Sequence, residues 1–173
     1  MKGDAFPLTG EVEVDETFVG GKAFNKHKSK RTGQVGTAGK VAVIGAIARK
    51  GMVVARVIEN TDTPTLDKFV RKAVSDKVEL VATDEHSGYR LLGEGDHPLP
   101  HQVITHSSGE YVRGNVHTNS IENFWSLLKR GIMGSYHKVS KDYLPLYMNE
   151  FSYRFNNRDN PDVFADLITT CGK

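Results

Sequence analysis

The segment Glu11-Val12-Glu13-Val14-Asp15-Glu16-Thr17-Phe18-Val19 alternates acidic and apolar residues over most of its length. A period of two is that of a strand with one buried face, and Gly20-Gly21 ends it. Outward from this strand, Val41 to Ala48 and Met52 to Ile58 are apolar runs flanking Arg49-Lys50-Gly51, a hairpin signature. A helix start follows at Thr63-Pro64, where a capping hydroxyl precedes a proline at the first helical position. Leu66, Phe69, Val70 and Ala73 then recur at helical spacing. Val78 to Thr83 reads as a fourth strand, short enough to be central, running directly into Asp84. Ser87 to Leu92 reads as a short helix and Gln102 to Thr105 as a fifth strand. Asn119 to Arg130 is strongly helical, with Ile121, Phe124, Trp125 and Leu128 on one stripe. A last helix is expected over Lys141 to Asn156, with Leu144, Tyr147, Met148, Phe151 and Phe155 inward and Pro145 early enough to be tolerated. This order predicts an α/β domain with a five-stranded sheet flanked by helices.

The chain's 173 residues suit one domain, and 38% hydrophobic with 25% charged residues exclude a disordered or fibrous chain. With Lys+Arg 23 against Asp+Glu 21 the formal charge is +2, a balance that does not announce a nucleic-acid partner. The distribution is uneven, however. From Lys22 to Lys40 the chain carries Lys22, Lys26, Lys28, Lys30 and Arg31 among glycines and without an acidic residue, a basic connection. The single Cys171 excludes an internal disulfide framework and a zinc site made of cysteine pairs. No apolar run approaches the roughly 18 residues of a membrane span, and the first residues lack the apolar stretch of a signal peptide. The expectation is a cytoplasmic protein with no membrane partner.

The acidic residues fall at telling points: Asp15 in the first strand, Asp84 at the carboxyl end of the fourth, Glu122 in the first turn of a later helix. The end of a central strand in an open sheet is a natural site for chemistry. Three carboxylates converging there make a hard-oxygen cage suited to magnesium or manganese. Two such ions about 4 Å apart activate an attacking oxygen and stabilise a departing one in phosphoryl transfer. Taken singly, each residue has a plainer reading. Asp15 alternates with Glu11 and Glu13 and reads equally as part of a solvated strand face; Asp84 reads as the cap of a short helix. Asn119 with Glu122 three residues on is close to a capping box. Lys129 lies two helical turns after Glu122, on the same face; it reads as a phosphate contact or, beside Arg130, as a solvated cation near a helix C-terminus. His117 and His137 flank that helix as phosphate contacts or scaffold. Trp125 reads as core.

Several motifs carry a family likeness. Val14-Asp15-Glu16-Thr17-Phe18-Val19-Gly20-Gly21-Lys22, Ala82-Thr83-Asp84 with Gly88-Tyr89, and His117-Thr118-Asn119-Ser120-Ile121-Glu122-Asn123-Phe124-Trp125-Ser126-Leu127-Leu128-Lys129-Arg130-Gly131 resemble the DDE transposases of bacterial insertion sequences, in their ISXO-type branch. Gly134-Ser135-Tyr136-His137 and Asn149 to Asn156 look like that branch too, so the likeness runs from about residue 8 to 158. It implies a ribonuclease-H-like fold, shared with retroviral integrases, with a five-stranded mixed sheet flanked by helices. It further implies Asp15, Asp84 and Glu122 as the metal-binding and catalytic triad holding Mg2+ or Mn2+, two ions in all. Lys129 becomes the basic residue beyond the glutamate, and Asn119 a rival or supporting partner for Glu122. Two departures stand out: His86 occupies the stretch between Asp84 and Gly88-Tyr89, and nothing before Leu8 can form the zinc-ribbon or helix-turn-helix region of full-length relatives. The expectation is therefore a single catalytic domain over residues 1–173 without an amino-terminal DNA-recognition domain.

The activity this implies is metal-dependent cleavage and strand transfer on double-stranded DNA, at transposon ends and target, by a homodimer or higher assembly, nucleoid-associated when active. Lys22, Lys26, Lys28, Lys30, Arg31, Lys129, Arg130, His117 and His137 are the candidate DNA contacts, neutralising phosphates without reading bases. The alternatives are a structure-selective nuclease of the same fold and a non-catalytic DNA-binding remnant.

Overall fold

The structure, a computed structural model, describes residues 7–21, 36–37, 39–105 and 116–171. Its centre is β1 (Leu8–Val19), between β2 (Val41–Ala48) and β4 (Val74–Asp84), with β3 (Val53–Ile58) beyond β2 and β5 (His101–Ile104) beyond β4, so the sheet order is 3-2-1-4-5. β1, β2 and β3 pair antiparallel, β4 joins β1 in parallel and β5 joins β4 in parallel. This five-stranded mixed sheet with helices on both faces is consistent with the ribonuclease-H-like architecture. The β2–β3 turn closes through the Gly51 N–H on the Ala48 carbonyl at 2.9 Å, with Lys50 at φ 57°.

On one face, α1 (Thr63–Ala73) buries Leu66, Phe69, Val70 and Ala73 against Val12, Val14, Ile44 and Ala46, beside a 3-10 helix, Ser87–Gly93, that contributes Tyr89 and Leu92. On the other, α2 (Asn119–Gly131) and α3 (Leu144–Asn156) pack Ile121, Phe124, Trp125, Leu128, Met148 and Phe151 against Val19, Val43, Ile47, Val53 and Ala55. Because β1 is central, neither of its faces is solvated. Val12, Glu13 and Val14 are all buried, which corrects the expectation of a strand with one exposed, acidic face. The side-chain amide of Asn156 pairs with both the N–H and the carbonyl of Val53, at 2.7 and 2.9 Å, and ties the end of α3 to the edge strand.

Several boundaries differ from expectation for physical reasons. The cap of α1 is Asp62, whose carboxylate accepts from the Thr65 N–H at 2.9 Å, so Thr63 is already helical. β4 begins at Val74, straight after α1, because Val74 and Val78 both reach the core. α3 starts at Leu144 with Pro145 in its first turn, and a further helix, α4 (Val163–Cys171), follows it. Phe164 and Ile168 of α4 are exposed, so no core-facing stripe marks that helix in the sequence. Among the described residues no helix is long and apolar enough to cross a membrane.

Candidate metal centre

The pairing of β1 with β2 continues to Val19 opposite Val41, whereas its register with β4 runs only to Glu13 opposite Ala82. Two residues beyond that last pair stand Asp15 on β1 and Asp84 on β4. The crevice lies at the carboxyl end of β4, where it parts from β1, the kind of place where an open α/β sheet puts its ligands. Asp15, Glu16 and Asp84 each offer a carboxylate oxygen there, all within 4.8 Å of one another, and all three residues are half-buried.

Each carboxylate is held by the protein. The Trp125 indole N–H donates to Asp15 Oδ2 at 3.0 Å. The Tyr89 hydroxyl donates to Glu16 Oε2 at 2.5 Å, and His86 Nε2 stands 3.8 Å from Glu16 Oε1. The His86 Nδ1 accepts from the Gly88 N–H at 3.1 Å, which leaves the ring proton on the nitrogen facing Glu16. Asp84 Oδ1 accepts from the His86 N–H at 3.1 Å, so Asp84 shapes the approach to the 3-10 helix while His86 caps it. Behind Asp84, the Thr83 hydroxyl and His101 Nε2 lie 2.8 Å apart.

Like charges crowded in a half-buried crevice resist ionisation. Burial, then the charges of Glu16 and Asp84, push the Asp15 carboxyl from 3.8 up to about 7. Glu16 is raised as well, chiefly by burial, with the Asp84 charge adding and the Tyr89 hydrogen bond opposing. Tyr89 is pushed far up by its own burial and then by the Glu16 charge. An all-oxygen donor set carrying excess negative charge fits a hard divalent cation, which relieves the repulsion.

α2 runs along β1 above this crevice. Glu122, Trp125 and Lys129 follow one another at helical spacing on one stripe; Trp125 reaches Asp15, and Lys129 Nζ donates to Thr17 Oγ1 at 2.6 Å. Glu122 lies outside the 4.8 Å group, exposed in the first turn of α2, where Glu122 Oε1 accepts from the Thr118 hydroxyl at 2.9 Å. The capping-box expectation is corrected, since the cap is Thr118, Asn119 is the first helical residue, and Thr118 makes no side-chain capping bond. The approach of α2 depends on Gly45, directly opposite Asp15 on β2: a Cβ there would lie 2.7 Å from Trp125 Cη2.

Among the other expected residues, His117 Nδ1 lies 3.1 Å from Glu13 Oε1 and its carbonyl accepts from Arg49 Nη2 at 3.3 Å. Arg130 is exposed in the last turn of α2; His137 is exposed at φ 57°, after the π-helical turn Ile132–Tyr136. Lys22, Lys26, Lys28, Lys30 and Arg31 lie outside the described residues. Sequence reasoning missed Glu16 as a member of the carboxylate group, Tyr89 and His86 as its holders, and the polar duty of the buried Trp125. The only local signal was the adjacency of two acids in Asp15-Glu16.

The chain matches the model of the ISXO2-like transposase domain over residues 7–156. It is similar to an uncharacterized protein in transposable element ISH50 of Halobacterium salinarum, 29% identical over 158 residues, covering 85% of this chain and 52% of that protein. It is also similar to an uncharacterized transposase-like protein of Haemophilus influenzae, 29% identical over 103 residues, covering 60% of this chain and 80% of that one. The chain thus spans about half the length of the Halobacterium relative. With the sheet order, the crevice and a match over most of its length in agreement, the chain belongs to the ISXO2-like transposase domain family.

Proposed function

We propose that this domain is a DNA strand-cleaving and strand-transferring transposase core that binds Mg2+ or Mn2+ through Asp15, Glu16 and Asp84. The observation that carries this reading is the gathering of three carboxylate oxygens within 4.8 Å at the parting of β1 and β4, with Asp15 pushed up to about 7. Bound divalent ions would supply Lewis-acid stabilisation of the attacking and departing oxygens. Trp125 fixes Asp15 Oδ2, and Tyr89 with His86 fixes Glu16, so the donor oxygens are held before any cation arrives. Glu122 joins from the helix side in this reading, one turn before Trp125, and Lys129 offers its ammonium to a phosphate along the same stripe.

The reaction has two steps. Water attacks the phosphodiester at a transposon end; its oxygen stays on the phosphate, and the strand's 3′-oxygen leaves with a proton as a free 3′-hydroxyl. That hydroxyl then attacks a target phosphodiester in line, one P–O bond forming as another breaks, so no external energy source is consumed. Lys22, Lys26, Lys28, Lys30 and Arg31, with Arg130, His117 and His137, are proposed to contact the DNA backbone, and two copies to act together on DNA.

Duplex oligonucleotides from the DNA flanking this reading frame test the proposal. Mn2+-dependent nicking and joining of a 3′-hydroxyl end are expected. Asp84→Asn should lower both by at least about a thousandfold, as for a member of a cooperating catalytic set, while DNA binding persists. Cutting that survives Asp84→Asn overturns the assignment, and hydrolysis without joining refutes strand transfer.

A further inference from the structure

The buried carboxylate of Glu13 has no part in the chemistry above, yet both its oxygens are held by donors from separate segments. It is 0% exposed. Glu13 Oε2 accepts from the backbone N–H groups of Ser120 and Ile121 at 2.7 and 3.1 Å. Glu13 Oε1 accepts from the Ser120 hydroxyl at 3.0 Å and from Arg49 Nε at 2.9 Å. These two N–H groups belong to the first turn of α2, where a helix has no internal acceptors and a negative charge is favoured by the backbone dipoles. Since Thr118 makes no side-chain capping bond, a strand residue more than a hundred positions upstream does the capping. Arg49 completes the clamp by pairing with Glu11 and donating to the His117 carbonyl, in the segment that leads into α2.

We propose that Glu13 is a positioning residue for the metal centre: its carboxylate seats the first turn of α2 on β1 and so aligns Glu122, Trp125 and Lys129 with the Asp15–Asp84 crevice. The geometry of the strand carries the argument. Glu13 and Asp15 lie two residues apart on the same pleat face, so one rigid strand holds both the anchor of the helix and the carboxylate that the helix touches. Trp125 reaches Asp15 one turn after the clamped residues, and Lys129 reaches Thr17 one turn further. A helix start displaced from Glu13 therefore moves every contact that α2 makes with the site.

The inference rests on the proposed function for its catalytic consequence, and its test has a second readout. Trp125 is the only tryptophan, so its emission reports where α2 sits against Asp15, and Mn2+ in the crevice quenches it. Glu13→Gln is compared with Val70→Ala, a cavity variant in the α1 core chosen to lower the melting temperature comparably. Ser120→Ala, which removes one donor to Glu13, is a milder third variant.

Glu13→Gln is expected to lower kcat for nicking roughly 10- to 100-fold, the usual scale for residues that orient ligands, with KM for DNA little changed. It should also shift Trp125 emission to the red and blunt its quenching by Mn2+, while Val70→Ala leaves emission, quenching and kcat near wild type. Ser120→Ala should move the same quantities less. If Glu13→Gln does not fold, an unchanged Trp125 response in Ser120→Ala overturns the proposal. It is likewise overturned if folded Glu13→Gln behaves as Val70→Ala does. A chain that never cuts DNA defeats the proposed function alone, because the Trp125 readout still decides the role of Glu13.

Discussion

Glu13 and Asp15 sit on the same face of the same strand, two residues apart, and the fold treats them oppositely. Glu13 meets two backbone N–H groups, a hydroxyl, a guanidinium and the His117 imidazole. Asp15 meets one indole N–H, the Glu16 backbone and two neighbouring acids, and its carboxyl is pushed up to about 7. A buried charge with matched donors holds a structure together, whereas one left among like charges is a site prepared for a cation. The boundary between the two lies where β4 parts from β1, just after the Glu13–Ala82 pair.

The contrast predicts stability effects of opposite sign. Glu13→Ala orphans buried donors at the start of α2 and should destabilise by about 3 kcal/mol, read from denaturant unfolding. Gly45→Ala attacks the Asp15 side alone. Its Cβ, 2.7 Å from Trp125 Cη2, displaces the indole; a cost of about 2 kcal/mol is expected from overpacking, with weaker Mn2+ quenching of Trp125. Asp15→Asn should instead stabilise the metal-free protein at pH 8, raising the melting temperature by roughly 3 °C, what about 1 kcal/mol is worth in a domain of this size.

The smallest effect is the pH dependence behind that last variant. Asp15 has a folded pKa of about 7 against 3.8 for the free side chain. Its contribution to stability is fully present below the lower value and is lost as pH rises through the higher one. A divalent cation competes with that proton. Mn2+ should therefore raise the melting temperature more at pH 8 than at pH 5.5, and an equal rise at both would remove Asp15 from the ligand set.

Much of the fold was legible because local pattern sufficed. The alternation over β1, the apolar runs of β2 and β3 and the stripe of α2 each report which side chains face a core, and the sheet places them accordingly. Asp84 was legible as a site candidate because it ends β4, and Asp15 because it is an acid within an alternating strand of the same sheet. The acidic alternation at Glu11, Glu13 and Asp15 misled, since polar residues in a central strand are covered by whatever packs there, and α2 arrives from over a hundred residues away. The local Asn119–Glu122 pattern likewise suggested a self-sufficient helix cap, where the acceptor comes from β1.

Sequence alone determined the element order as far as α3, the five strands and the candidates Asp15 and Asp84, because hydrophobic periodicity and an acid closing a strand are properties of short segments. Only the tertiary structure decided that Glu16 joins that pair, that Trp125 reaches Asp15 over the bare backbone of Gly45, and that Glu13 caps a distant helix. Those relations depend on where β1 and β4 part and on how closely α2 lies on the sheet, distances that no local spacing encodes.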